Sequence, residues 1–166
     1  DEPYWIFNTV SNGGTASSRA TQVFGGIDTG DTQYFGLADS CVWGCGRAGA
    51  PAPVGIGLSI QLWEKDLGHV SETLYDTAEA FKTAGPILSA AGAPAWVSGT
   101  ATAMGTAMGY ILGWADDDLM GSSTYAYGVD SLAGALATRG TSFVDTRTYE
   151  GGGARYTLTL RVSRIV

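Results

Sequence analysis

Basic side chains are scarce in this chain. Lys and Arg number 9 against 16 Asp and Glu, which gives a formal charge of −7 and a pI near 4.4. Such a surface would displace few counterions from phosphates, so nucleic-acid recognition through a basic patch is not expected. Direct attraction to anionic lipid is disfavoured too, unless a bound divalent cation reverses the local field. Histidine occurs once, at His69, and cysteine twice, at Cys41 and Cys45. With His69 as the only third ligand on offer, a structural zinc site is not expected. The chain has no Gly-x-Ser-x-Gly elbow, no His-Glu-x-x-His and no Gly-Lys-Ser/Thr phosphate loop. Gly151-Gly152-Gly153 runs into Ala154 and reads as a turn. A Cys–His pair from Cys41 or Cys45 with His69 has no supporting motif. Carboxylates such as Glu64 and Asp116 could serve glycoside hydrolysis, and acids beside Trp63 and Trp114 suit a sugar, but nothing selects that chemistry over a metal site. No enzyme is expected.

The largest absence is of charge itself. From Thr83 to Ala115 there is no Asp, Glu, Lys, Arg or His. Two acidic clusters flank this gap: Glu64-Lys65-Asp66 before it and Asp116-Asp117-Asp118 after it. Val70, Leu74, Ala78 and Phe81 recur at helical spacing, with Ser71 placed as an N-cap, so a helix is predicted over 70–83. Gly85-Pro86 and Ala93-Pro94 break the next stretch, and a second helix is predicted over 95–114. Ala101, Gly105, Gly109 and Gly113 make a stripe on it, on which another backbone could pack closely. The 70–115 segment is thus expected to be a Gly/Ala-rich helical hairpin. At about 20 residues its second arm could just span a bilayer. Its Ala, Gly, Thr and Ser content gives weak insertion drive, so packing against the first arm or another copy is the preferred expectation.

What remains is a chain of one-domain size with 25 glycines and many Thr-, Tyr- and Val-rich alternations. Strands are predicted over 4–10, 19–24, 32–35, 57–63, 122–127, 141–149 and 155–165. In the fourth, Leu58, Ile60 and Leu62 point one way and Ser59, Gln61 and Trp63 the other. Residues 129–137 read as a short helix or packed loop. The first two strands form a hairpin across Asn12-Gly13-Gly14, and the last two close across Gly151–Gly153. The sum is one domain, 1–166: an antiparallel β-sandwich interrupted by the helical hairpin. Cys41 and Cys45 in a Gly-rich loop are expected to form a small disulfide, and with a start at Asp1 they predict a secreted protein.

Three segments carry a resemblance. Asp1-Glu2-Pro3-Tyr4-Trp5-Ile6 resembles the Asp-Pro-Tyr-hydrophobic strand entry of C2 domains, the calcium-dependent lipid-binding sandwiches. Leu58 to Asp66, ending Leu-Trp-Glu-Lys-Asp, resembles that family's strand ending Val-Trp-Asp-Lys-Asp. Asp117-Asp118-Leu119-Met120-Gly121 is similar to its Asp-Asp-Phe-Ile-Gly. Glu64 departs from the usual Asp, and the helical hairpin replaces a short loop. The resemblance implies a C2-like sandwich with a calcium site drawn from Glu64, Asp66, Asp116, Asp117 and Asp118. Hard cations want six to eight oxygen ligands, and acids flanking one insertion could supply several. A non-catalytic calcium-binding module that attaches to a membrane or partner is therefore the leading expectation. A membrane-active toxin or pore-former and a self-assembling subunit, both using the insert, are the alternatives.

Overall fold

The computed structural model describes residues 2–11, 16–36, 39–44, 55–66, 70–75, 77–79, 118–138 and 140–164. Within them the chain is mainly β, and every strand pairing is antiparallel. Strands β1 (Pro3–Ser11), β2 (Ala16–Ala20), β3 (Gly55–Glu64) and β4 (Asp118–Gly128) form one sheet in the order β2-β1-β3-β4. Strands β5 (Ser142–Gly151) and β6 (Ala154–Ser163) form a second, two-stranded sheet. A short helix, Val129–Ala135, joins β4 to the loop before β5.

The two central strands explain themselves by composition. In β1 an aromatic and β-branched run follows a proline, which is tolerated at a strand's first residue because its missing N–H falls where pairing begins. Register places Trp5 beside Leu62, Phe7 beside Ile60, and Leu62, Ile60 and Leu58 beside Gly121, Ser123 and Tyr125. This face carries the main core, where Trp5, Phe7, Leu58, Ile60, Leu62, Met120 and Tyr125 meet Tyr149 and Leu158 of the β5–β6 hairpin. Trp5 and Tyr149 pack edge to face at 4.8 Å.

The opposite face holds Tyr4, Ile6, Asn8 and Val10 against Trp63, Gln61, Ser59 and Gly57. It is buried as well: every residue of β3 from Gly55 to Trp63 is inside. At one end Tyr4, Ile6 and Trp63 form a second apolar cluster with Val70 and Leu74 packed on it. The polar middle is partly satisfied along β3 itself. Trp63 Nε1–H donates to Gln61 Oε1 at 3.0 Å, and Gln61 Nε2–H donates to Ser59 Oγ at 3.3 Å.

The predicted alternation in 57–63, the β1–β2 pairing and the closing hairpin are all present, and of the two readings of 129–137 the short helix is the one found. Three expectations need correction. Residues 31–36 form no strand. Phe35 instead packs edge-on against Phe7 and Phe24, at 6.2 and 5.7 Å. The second strand ends at Ala20 rather than Phe24, because the chain then bonds β1 irregularly: Thr21 N–H donates to Trp5 O and Phe24 N–H to Pro3 O, both at 2.9 Å. Ser71 does not cap the helix, since Val70 is already helical. Residues 70–75 and 77–79 are helical, as the periodicity predicts, with Val70 and Leu74 facing the core. The remainder of the predicted hairpin, including the 95–114 arm and its glycine stripe, lies outside the described residues. Among the described residues no helix is long and apolar enough to cross a membrane.

Cys41 is disulfide-bonded, and the chain holds one other cysteine, Cys45. The loop around Cys41 is tied to the sheet edge. Arg19 of β2 donates to the Cys41 carbonyl at 2.6 Å, and Gln22 N–H donates to Asp39 Oδ2 at 3.4 Å.

Candidate functional site: a carboxylate pair at the end of the central sheet

The β3–β4 ladder runs from Gly55 opposite Gly128 to Glu64 opposite Asp118. Between Leu62 and Trp63 the register shifts: Leu62 pairs with Gly121 and Trp63 with Leu119, leaving Met120 as the extra residue of a β-bulge. The bulge restores pairing, so the last residue of β3 and the first of β4 stand directly opposite. Directly opposite residues of an antiparallel pair project to the same face, with Cβ atoms about 4.5–5.5 Å apart. The two flanks of the uncharged segment therefore bring one acidic residue each to the same end of the ladder and the same face.

Glu64 is half-buried and Asp118 exposed. Glu64 leans toward the β5–β6 turn, where its Oε2 lies 3.2 Å from the position a Cβ would take on Gly152. Burial first, and the Glu64 carboxylate second, hold the neighbouring Tyr156 phenol above its ordinary pKa. The nearby cations are engaged elsewhere. Lys65 lies 3.9 Å from Glu2, and Arg155 lies 3.4 Å from Glu150. Among the described residues neither Glu64 nor Asp118 has an ion pair. Asp66 sits two residues beyond β3 on an exposed bend, and Asp116 and Asp117 lie outside the described residues.

Neighbouring carboxylates with no cation paired to them among the described residues repel, and an oxygen-seeking divalent cation is a chemistry that relieves them. Among the described residues no group of three or more acidic, His or Cys side chains is gathered around one point. The pair alone could supply two of the oxygen donors that a hard divalent cation needs.

A second polar cluster, which the linear pattern does not signal, bridges β4 and β5. Arg147 Nε–H donates to Tyr125 Oη at 3.0 Å, with the guanidinium 5.2 Å from the Tyr125 ring centre and 3.3 Å from Asp145. Tyr149 Oη shares a hydrogen bond with Ser123 Oγ. Burial is the main reason the Tyr149 phenol titrates well above its ordinary range, and it raises Tyr127 to about 12, helped by Asp145. A phenol held protonated in this way is no base for Ser123 at neutral pH. The cluster joins the two sheets and offers no activated nucleophile.

Comparison with family models, with curated proteins and with solved structures finds no match for this chain. Chemistry and geometry alone therefore carry the functional reading.

Proposed function

We propose that this chain is a secreted, non-catalytic β-sandwich module, C2-like in arrangement, that binds calcium where its sheet meets a helical hairpin inserted over 70–115. The observation that carries the reading is the register of Glu64 opposite Asp118, two acids with no ion-pair partner among the described residues. Asp66, Asp116 and Asp117 complete the ligand set. The bound ion offsets the repulsion of the pair, fixes the direction in which the insert leaves the sheet, and supplies positive potential for a membrane or partner surface that the bare −7 chain would repel.

Thermal melting of the full chain in calcium and in chelator tests this. A ligand at a hundredfold excess over its Kd adds about 2.7 kcal/mol. At about 2–4 °C per kcal/mol for a domain of this size, the expected rise in Tm is roughly 5–10 °C. Glu64→Gln combined with Asp118→Asn should abolish the rise. No shift at millimolar calcium, or an equal shift in the double variant, refutes the reading.

A further inference from the structure

The β5–β6 hairpin is a sheet of only two strands, a size that rarely stands alone in water. One face of it is seated on the main core through Tyr149 and Leu158. Its β6 edge has no strand beside it among the described residues.

The turn fixes which backbone groups that edge presents. Gly152 and Gly153 have φ of +59° and +81°, the signature of a type I′ turn, and Gly151 opposite Ala154 closes it. In a two-residue hairpin the closing pair exchanges hydrogen bonds, and bonded and non-bonded pairs then alternate. Ala154, Tyr156, Leu158, Leu160 and Val162 therefore bond β5. Arg155, Thr157, Thr159, Arg161 and Ser163 turn their N–H and C=O groups outward. Open edges are commonly blunted by proline, by charged side chains, lysine above all, or by a bulge. β6 contains neither proline nor lysine, its charges are Arg155 and Arg161 alone, and its register with β5 is unbroken from Ala154 to Ser163.

We propose that β6 pairs antiparallel with β6 of a second copy, about a twofold axis at Thr159, to give a β5-β6-β6-β5 sheet. Identical strands can meet this way only where the sequence complements itself, and here it does. With Thr159 opposite Thr159, Thr157 faces Arg161 and Arg155 faces Ser163, so no arginine directly opposes an arginine, and the diagonal approach of Arg161 to the copy's Arg155 is offset by Glu150, 3.4 Å from Arg155. The outward-directed backbone groups coincide at each of these positions and supply about ten interchain hydrogen bonds. On the inner face Leu158 meets Leu160 and Tyr156 meets Val162. Tyr156, Leu160 and Val162 are only half-buried in the single chain, so pairing extends the apolar row across the axis. Other centres fit less well. An axis at Arg161 sets that guanidinium against its own copy, and one at Thr157 runs Arg161 into the turn at Gly153.

Sedimentation velocity and light scattering of the full chain, from micromolar to several hundred micromolar, read the result directly. The mass should double from 17.2 kDa as concentration rises. Thr159→Lys places two ammonium groups on the axis and should hold the chain monomeric with an unchanged circular dichroism spectrum. Thr159→Cys should form a covalent dimer on mild oxidation, because Cα atoms about 5.5 Å apart suit a disulfide. Thr157→Cys, which faces Arg161, should not. A monomer at every concentration, a dimer that survives Thr159→Lys, or equal cross-linking by the two cysteine variants overturns the proposal. These outcomes do not depend on calcium.

Discussion

Replacing Asn8 by leucine should make this protein more stable. Asn8 is 0% exposed, in the middle of β1 between Ile6 and Val10. Its register neighbours are Ser18 on β2 and Ser59 on β3. The Ser59 hydroxyl accepts from Gln61, and among the described residues neither Asn8 Nδ2 nor Oδ1 has a hydrogen-bond partner. An amide taken out of water without compensation costs about 1–3 kcal/mol. Leucine has nearly the same shape, carries no polar atom and suits the flanking Ile6 and Val10. Asn8→Leu should therefore gain about 1–3 kcal/mol, because removing an unpaired buried group recovers its desolvation penalty. Urea unfolding should show a higher midpoint at unchanged slope, which separates a stability change from a change in compactness. Tm should rise by about 2–4 °C for each kcal/mol. A loss of more than about 1 kcal/mol would refute the reasoning, since replacing a hydrogen-bonded amide by an apolar side chain is what carries such a penalty.

Two further outcomes follow from glycine geometry and from phenol burial. A Cβ on Gly151 would stand 2.5 Å from the Met120 carbonyl oxygen and 2.7 Å from its Cα, so Gly151→Ala should cost about 1–3 kcal/mol by forcing the hairpin off β4. Gly134, in the Val129–Ala135 helix, has nothing within 4 Å of that position, and Gly134→Ala should gain about 0.5–1 kcal/mol; urea midpoints that rank the two variants in reverse would contradict the packing. Tyr127 titrates at 10.0 when free and at about 12 in the fold, so the folded chain keeps a proton that the unfolded chain loses. The stability this contributes is complete below pH 10 and is lost as pH rises toward 12. Tyr127→Phe should make the fall in urea midpoint across that window shallower, and an identical fall would show that Tyr127 is not the group responsible.

The sequence pattern was most legible where one physical rule dominated. Strand β3 follows from the alternation of Leu58, Ile60 and Leu62, and the final hairpin from glycines able to take positive φ. Burial of the second face of β3 was not legible, because Ser59 and Gln61 are residue types that usually face water. Their polarity is met sideways, along the strand, by Gln61 and Trp63. Tyr34-Phe35 invited a strand, yet the stretch follows a turn at 28–31, where Asp31 N–H bonds Asp28 O and Asp28 N–H bonds Asp31 Oδ2, and it pairs with no strand among the described residues. Phe35 then joins the aromatic core while Tyr34 is left 85% exposed. At the candidate site the identity of the flanking acids was legible and their register was not. That Glu64 meets Asp118 depends on a single bulge at Met120, which nothing local announces.

The bulge also decides what kind of site this is. Were Met120 paired in a regular ladder, Asp118 would fall opposite Lys65, and Glu64 and Asp118 would project to opposite faces. With the bulge, like charges are set side by side, an arrangement that costs a few tenths to about 1 kcal/mol in a sheet. The core does not require this: Met120 could fill its place beside Gly151 while either carboxylate was replaced by threonine or serine. Nor do neighbouring cations repair it, since Lys65 turns to Glu2 and Arg155 to Glu150. The backbone register of the pair is set by the ladder. A repulsive pair gains from a cation in proportion to the ion's charge, so the electrostatic gain expected from calcium is about twice that from sodium at equal ionic strength, and the calcium response should be the larger of the two.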